Sequence, residues 1–248
     1  MKLLFDLGNS RCKWCLWQNG EAHAHGAAAY TADGGLPEAL FAALERRSEP
    51  VDTVVVCTVS APRVVDDLEA WARRCHGLPI RRFTSRASHG GIVNAYPDPS
   101  SLGADRWAAI IGARSRYSGA LCIVDCGTAV TVDVLGHDDR HAGGLIFPGL
   151  GLARRALSSG AHQLGEAGQG ELPLLATDTP TAIRAGTFHA LAHGIQGVKR
   201  QMEQGGVTPL TGVITGGDAD VLAGVLEDDW RVDHQLVFAG MAREEGAA

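Results

Sequence analysis

The same pattern of an apolar strand ending in an acidic glycine turn occurs twice in this chain. It is found in residues 3–10 (LLFDLGNS) and again in residues 122–129 (CIVDCGTA). In both places further apolar runs follow, separated by turn residues, which is typical of a β-meander. We therefore predict that the chain contains an internal duplication of a three-stranded unit, with a boundary near residue 118.

Helices and further strands alternate after each predicted meander. Strands are predicted at residues 2–7, 11–18, 21–29, 51–58, 121–124, 130–135, 144–147 and 212–215. Helices are predicted at residues 36–47, from 62 onward, at 102–117, 149–159 and 180–204, and after the glycine pair at 216–217. Residues 84–101 and 160–178 are predicted to be loops. This alternation indicates an α/β protein with two domains, residues 1–118 and 119–248.

Charge, hydropathy and cysteine content exclude several classes of protein. The 22 basic residues are outnumbered by 28 acidic ones, giving a net charge of −6, so we expect no basic surface for a nucleic-acid backbone. No run of about 18 apolar residues predicts a membrane span, and the apolar N-terminal stretch ends at Asp6, too early for a signal-peptide core. The six cysteines are too sparse for a disulfide framework, so we expect reduced thiols and a cytoplasmic protein.

The two glycine turns predict a phosphate site. Glycine lets the backbone approach a ligand closely, and backbone amides and a hydroxyl can then donate to phosphate oxygens. The turns at 6–10 and 125–128 would face each other across a cleft if the halves are pseudo-symmetric, leaving their carboxylates for Mg²⁺ or its water shell. Lys13, one of only three lysines, follows the first turn and suits a phosphate contact. The alternative is an ordinary exposed strand lysine.

Two further motifs suit a kinase-like site. Residues 103–106 (GADR) open a predicted helix after the loop that contains Tyr96. Asp105 suits a general base for a hydroxyl group, and Arg106 suits an anionic substrate. The alternative for Asp105 is an acidic residue that complements the helix dipole. Residues 215–218 (TGGD) suit an adenine or ribose lying against the backbone, the alternative being a turn with a helix cap.

Together with residues 143–149 (GGLIFPG), these segments resemble the type III pantothenate kinases. They occur in the family's order and span nearly the whole chain. The resemblance implies the acetate and sugar kinase, Hsp70 and actin superfamily fold: α/β, with two duplicated actin-like, ribonuclease H-like domains whose mixed βββαβα sheets are flanked by helices. It also implies a homodimer and the phosphorylation of pantothenate by ATP to 4'-phosphopantothenate, the first step of coenzyme A biosynthesis.

The resemblance further implies roles for individual residues. Asp105 would be the general base on the primary hydroxyl of pantothenate. Asp125 would ligate a monovalent cation, K⁺ or NH₄⁺, and Asp6 would hold Mg²⁺, directly or through water. The residues implied to bind ATP are Asp6, Gly8, Asn9, Ser10, Lys13 and Thr128. The residues implied to bind pantothenate are Tyr96, Gly103, Ala104, Asp105, Arg106 and Thr179.

Two departures from the family pattern lie among these positions. Ser10 stands where the family often has threonine, which keeps the hydroxyl. Asp178 stands where the family has asparagine, just before Thr179. The segment at 216–219 would lie near the adenosine.

Two residue pairs could suggest metal binding, but the spacing of each pair favours another interpretation. Cys12 and Cys15 lie three apart on a predicted strand, so their side chains would point to opposite faces, and no second pair accompanies them. His189 and His193 lie four apart on a predicted helix without the glutamate of a zinc protease, which favours a dimer surface or a half-buried pair.

Two alternative interpretations keep the same fold: a non-catalytic regulator, and an ATPase of the actin or chaperone kind. Retention of Lys13, Asp105 and Asp125 counts against a regulator. An ATPase of that kind is expected to be longer. A kinase for another small hydroxylated substrate is the nearest enzymatic alternative.

Overall fold

The computed structural model describes residues 1–8, 11–30, 35–58, 62–160, 170–227 and 230–244. The chain divides into two compact units. The first contains residues 1–117 together with the C-terminal residues from 235 onward, and the second contains residues 118–234. No helix among the described residues is long and apolar enough to cross a bilayer.

The described residues form strands and helices in the following order. The strands are β1 (Lys2–Leu7), β2 (Arg11–Gln18), β3 (Glu21–Ala29), β4 (Thr53–Thr58), β5 (Ile80–Phe83), β6 (Ser88–His89), β7 (Ile92–Val93), β8 (Ala120–Cys126), β9 (Ala129–Leu135), β10 (His141–Pro148), β11 (Leu210–Gly216) and β12 (Arg231–Val232). The helices are α1 (Glu38–Glu45), α2 (Pro62–His76), α3 (Ala104–Arg116), α4 (Leu150–Gly160), α5 (Thr179–Gln204), α6 (Ala219–Ala223) and α7 (Leu236–Met241), and a 3₁₀ turn spans Pro99–Ser101.

Each unit is built on one five-stranded sheet, and the two sheets correspond strand for strand. The strand order is β3-β2-β1-β4-β5 in the first unit and β10-β9-β8-β11-β12 in the second. In both sheets the first three strands are antiparallel, and the later strands run parallel to the first. The predicted α/β fold with mixed βββαβα sheets is therefore confirmed.

The apolar side chains of the central strands are buried on both faces of each sheet, and helices cover them. In the first unit Phe5 of β1 meets Trp71 of α2 in an edge-to-face contact, with ring centroids 6.1 Å apart. In the second unit Val124 of β8 belongs to the same buried cluster as Phe188 and Ile195 of α5. Removal of these apolar side chains from water is the main stabilising contribution to both cores.

The C-terminal helix α7 packs in the first unit, whereas the sequence predicts that residues 119–248 form the second domain. The helices α3 and α7 touch backbone to backbone, since a Cβ atom at Gly112 would lie 1.9 Å from the carbonyl oxygen of Leu236. A Cβ atom at Gly240 would likewise lie 1.9 Å from the carbonyl oxygen of Ala108. Glycine at both crossing points therefore allows this close packing.

Candidate active site

The first glycine turn connects β1 to β2. The Gly8 amide donates to the carbonyl oxygen of Arg11 at 3.1 Å, and the Tyr30 hydroxyl donates to the Gly8 carbonyl oxygen. Asn9 and Ser10, both predicted to bind ATP, lie outside the described residues. The backbone on either side of them is therefore fixed by hydrogen bonds that do not involve their side chains.

Asp6 and Lys13 stand directly opposite each other on β1 and β2. Both side chains are half-buried. Directly opposed residues of antiparallel strands have Cβ atoms about 5 Å apart and share one face of the sheet. The register thus places an acidic and a basic residue as cross-strand neighbours next to the first turn.

The second glycine turn connects β8 to β9. The Gly127 amide donates to the carbonyl oxygen of Ala129 at 3.1 Å. Asp125 lies opposite Thr131 on β9 and Thr215 on β11, so its cross-strand neighbours carry hydroxyl groups. Thr128 is exposed at the tip of the turn. The turn therefore presents a hydroxyl residue beside a half-buried carboxylate.

Glycines from two other motifs pack against this second turn. Gly149 donates its amide to the Thr128 carbonyl oxygen at 3.0 Å, and a Cβ atom at Gly149 would lie 2.3 Å from the Gly127 carbonyl oxygen. Gly216 has a φ of +98°, and a Cβ atom there would lie 2.6 Å from Oδ1 of Asp125. Both positions exclude a side chain, which explains the glycines in these two motifs.

Asp218 and Arg154 form a polar region at the start of α6. The Asp218 amide donates to the carbonyl oxygen of Cys126 at 3.3 Å. Burial raises the pKa of the Asp218 carboxyl, and the charge of Arg154 partly opposes that shift. Burial also lowers the pKa of the Arg154 guanidinium. The sequence did not predict a role for Arg154, although it lies in the helix that follows the 143–149 motif.

The substrate motif forms the N-terminus of α3 in the first unit. Arg106 is only 5% exposed, and its Nη1 donates to the Tyr96 hydroxyl at 2.9 Å. Its guanidinium carbon also lies 5.7 Å from the centroid of the Tyr96 ring. The structure therefore brings two of the predicted substrate residues, Tyr96 and Arg106, into direct contact.

Asp105 bends back over the first turn of α3. Its Oδ1 accepts the Arg106 amide at 2.8 Å, and a Cβ atom at Gly103 would lie 2.6 Å from that same oxygen. The Asp105 residue is half-buried. It also lies at the positive end of the helix dipole, as the alternative interpretation requires. The geometry is compatible with both roles.

The loop before α3 is organised by Asn94, which the sequence did not single out. Asn94 is buried, and its Oδ1 accepts the Tyr96 amide at 3.0 Å. Its Nδ2 donates to the Ser85 hydroxyl and to the Arg86 carbonyl oxygen, both at 3.1 Å. Within the predicted loop, β6 and β7 form a short hairpin. One asparagine therefore fixes the backbone next to Tyr96.

Thr179 lies at the start of α5 in the second unit, where it is exposed. The preceding Asp178 caps the helix by accepting the Thr181 amide at 2.9 Å. That hydrogen bond lowers the pKa of the Asp178 carboxyl. Asp178 thus acts as a helix cap, and the substitution at this position does not disturb the start of α5.

The cysteine and histidine pairs have structural contacts. Cys12 and Cys15 are both buried, and desolvation raises the pKa of each thiol to about 12. His193 Nδ1 lies 2.7 Å from the carbonyl oxygen of His189, and His189 Nε2 lies 3.2 Å from that of Pro173. Among the described residues there is no group of three or more His, Cys, Asp or Glu side chains suited to a metal ion.

Two corresponding sheets, each with a glycine turn after its first strand, define the class of this protein. It has the fold of the actin-like ATPases and sugar kinases. A solved structure with the same fold is the activator of 2-hydroxyisocaproyl-CoA dehydratase from Clostridium difficile with bound ADPNP. It is 15% identical, aligns over 98% of this chain and 92% of its own, and gives a TM-score of 0.55. At this level of identity the likeness concerns the fold alone.

Sequence comparison gives the family. The family pattern described as type III pantothenate kinase matches residues 2–201. The type III pantothenate kinase of Alkalilimnicola ehrlichii is 40% identical and covers 98% of both chains. That of Nitrosococcus oceani is 37% identical and covers 98% of this chain and 93% of its own. The chain therefore belongs to the type III pantothenate kinases, enzymes that phosphorylate pantothenate with ATP in coenzyme A biosynthesis.

Proposed function

We propose that Asp105 is the general base of this kinase and that Tyr96 and Arg106 bind the pantothenate beside it. The observation that carries the proposal is the contact of Arg106 with the Tyr96 hydroxyl at 2.9 Å, next to the half-buried Asp105 carboxylate. A buried guanidinium suits the carboxylate of pantothenate, since charge-assisted hydrogen bonds strengthen away from water. Gly103, Ala104 and Thr179 complete the proposed substrate set.

The reaction transfers the γ-phosphoryl group of ATP to the primary hydroxyl of pantothenate. The hydroxyl oxygen forms a bond to the γ-phosphorus while the bond between that phosphorus and the β–γ bridging oxygen breaks, and ADP leaves. Asp105 accepts the hydroxyl proton. Because phosphoryl transfer passes through a loose transition state, the protein mainly aligns the attacking oxygen and neutralises the phosphate oxygens. A hydrogen bond from the hydroxyl to Asp105 fulfils the first requirement.

The proposed ATP contacts lie on the two glycine turns. Backbone amides and hydroxyl groups of such turns donate to phosphate oxygens, and Lys13 adds a positive charge. Support comes from the place of Lys13 opposite Asp6 and from the exposed Thr128 at the second turn. The full proposed set is Asp6, Gly8, Asn9, Ser10, Lys13 and Thr128.

The carboxylates of the two turns suit hard cations. Asp6 would hold Mg²⁺, directly or through water, and Asp125 would hold a monovalent cation, K⁺ or NH₄⁺. The oxygen chemistry at Asp125 fits such an ion, because the neighbouring strand positions are Thr131 and Thr215. When bound, the cations supply positive charge next to the phosphates.

We also propose that the enzyme is a homodimer. Support comes from large apolar side chains exposed on β10 and α4 of the second unit, where Leu145 is 48% and Ile146 is 65% exposed, together with Leu152 and Leu157. The four residues lie on two consecutive elements, and exposed apolar side chains concentrated in one part of a protein mark interaction surfaces. Light scattering should give twice the chain mass of 26.0 kDa. A monomer mass at micromolar concentration would contradict the dimer.

We propose a cytoplasmic location because the cysteines are free thiols. All six are free thiols. Free thiols persist in a reducing compartment, whereas secreted proteins tend to form disulfides. A disulfide in protein purified from the cytoplasm without reductant would contradict this placement.

The test of the base is the variant Asp105→Asn, assayed with ATP, Mg²⁺ and pantothenate, with and without K⁺ or NH₄⁺. Loss of a general base typically lowers turnover by about 100- to 10,000-fold, and the KM for ATP should stay unchanged. Asp66→Asn, on the exposed face of α2, is the matched control and should keep full activity. An Asp105→Asn variant as active as the wild type would rule out the base. ATP hydrolysis without phosphorylated pantothenate would favour an ATPase instead.

A further inference from the structure

An ion pair connects the C-terminal segment, residues 236–244, to the substrate loop, by which we mean residues 84–98 with Tyr96. Glu244, three residues after the end of α7, accepts a hydrogen bond from Arg86, in the loop after β5. The Glu244 side chain is only 7% exposed, whereas that of Arg86 is 45% exposed. A mostly buried carboxylate is held best when it is paired with a cation. The contact therefore joins the residues that follow α7 to the loop after β5.

From Arg86 a series of hydrogen bonds leads to the substrate residues. The Arg86 carbonyl oxygen accepts Nδ2 of Asn94, and Oδ1 of Asn94 accepts the Tyr96 amide. The Tyr96 hydroxyl in turn accepts Nη1 of Arg106. Each of these distances lies between 2.9 and 3.1 Å. The ion pair of Glu244 is thus linked to Arg106 through two ordered loop residues.

The same C-terminal segment also contacts the helix that carries Asp105 and Arg106. Gly240 of α7 packs against the Ala108 backbone one turn further along α3. The segment therefore contacts both parts of the proposed substrate site, the loop through Glu244 and the helix through Gly240. A displacement of the segment would alter the distance between loop and helix.

We propose that Glu244 and Asn94 are positioning residues of the pantothenate site, so that the C-terminal segment determines how well the enzyme binds its substrate. This inference rests on the proposed roles of Tyr96 and Arg106. Glu244 lies outside residues 2–201, which match the family pattern. The contacts predict a selective effect: pantothenate binding depends on this segment, whereas the proposed ATP contacts use other residues at the turns after β1 and β8.

The test compares Glu244→Gln with Glu227→Gln, which breaks a second Arg–Glu pair, the exposed pair of Arg200 and Glu227 in the second unit. For Glu244→Gln we expect the KM for pantothenate to rise by up to about tenfold, which corresponds to the full loss of one charge-assisted hydrogen bond transmitted to the substrate residues. The kcat and the KM for ATP should change by less than about twofold, since a uniform loss of substrate binding raises KM alone. Glu227→Gln should resemble the wild type.

Two further variants separate positioning from general destabilisation. Asn94→Ala should raise the KM for pantothenate as Glu244→Gln does. The exchanged pair Arg86→Glu with Glu244→Arg should recover part of the rise in the KM for pantothenate while the KM for ATP stays unchanged, whereas general destabilisation would affect both KM values alike. An unchanged KM for pantothenate in Glu244→Gln, or an equal rise of both KM values, would overturn the inference.

Hydrogen exchange tests the contact independently of catalysis. In Glu244→Gln the amides of residues 85–96 should exchange faster, while those of β8 should be unaffected. Unchanged exchange in residues 85–96 would overturn the inference even in an inactive preparation. Wild-type protein that forms no phosphorylated pantothenate would instead contradict the proposed function.

Discussion

Replacement of Gly112 by alanine tests the backbone contact between α3 and α7. The added Cβ atom would lie 1.9 Å from the Leu236 carbonyl oxygen and 3.0 Å from the Gly240 amide nitrogen. Non-bonded carbon and oxygen atoms sit at about 3.2 Å or more, so the helices must move apart by roughly 1 Å. The obstructing atom is backbone, and no side-chain rotamer can relieve the clash.

The expected change in the free energy of unfolding is the difference between two opposing effects. Overpacking in a close-packed core costs about 1–3 kcal/mol, and a backbone obstruction belongs at the upper end of that range. Alanine in place of glycine within a helix gains about 1 kcal/mol. We therefore expect Gly112→Ala to lower the free energy of unfolding by about 2 kcal/mol. For a chain of this size the midpoint of thermal unfolding should fall by about 4–8 °C.

Calorimetry and urea unfolding measure this change, and Gly197→Ala supplies the control. Gly197 is also helical, in α5, but nothing lies within 4 Å of the position its Cβ would take. Gly197→Ala should therefore stabilise the protein by up to about 1 kcal/mol. The two variants should have effects of opposite sign. Equal stability of Gly112→Ala and the wild type would refute the close packing of α3 on α7.

The remaining predictions concern the thiols. Cys75 is the only exposed cysteine of the six, so an aromatic disulfide reagent should titrate one thiol in the native protein and six after unfolding in denaturant. Partial desolvation, and then the hydrogen bond to Glu45, raise the pKa of Cys75, so its reaction should accelerate as the pH rises above 8 and more thiolate forms. Glu45→Gln removes a negative charge 3.2 Å from the sulfur and should lower that pKa and speed the reaction at pH 8. A slower reaction of this variant, or several reactive thiols in the native wild type, would contradict these assignments.

Local turn chemistry made much of the fold predictable from the sequence. The bounds of β2 and β3 agree with prediction residue by residue, because the Asn19-Gly20 pair between them specifies a tight hairpin. Both residues adopt positive φ angles, +55° and +87°. The orders β3-β2-β1 and β10-β9-β8 then follow from the repeated meander. Prediction succeeded where the signal lies within a few neighbouring residues.

The features that the sequence did not reveal depend on contacts between distant segments. The helix α7 has no polar face, since all six of its residues are buried, so no amphipathic period marks it. Its place in the first unit depends on Gly112, more than a hundred residues earlier. Asn94 lies in an irregular loop, where one asparagine resembles any other until its partners are known. Its role follows only from the contacts with Arg86 and Tyr96.

Duplication has not made the two glycine turns equivalent. At the same register, Asp6 faces Lys13 in the first sheet, whereas Asp125 faces Thr131 in the second. The second turn is also shorter. The Gly127 amide donates to a carbonyl oxygen two residues later, whereas the Gly8 amide donates to one three residues later. A lysine beside a carboxylate partly neutralises it, whereas a threonine leaves the negative charge to attract a cation. This asymmetry supports the proposed site for a monovalent ion at Asp125, whereas at the first turn the charge of Asp6 is shared between Lys13 and the Mg²⁺ that Asp6 is proposed to hold.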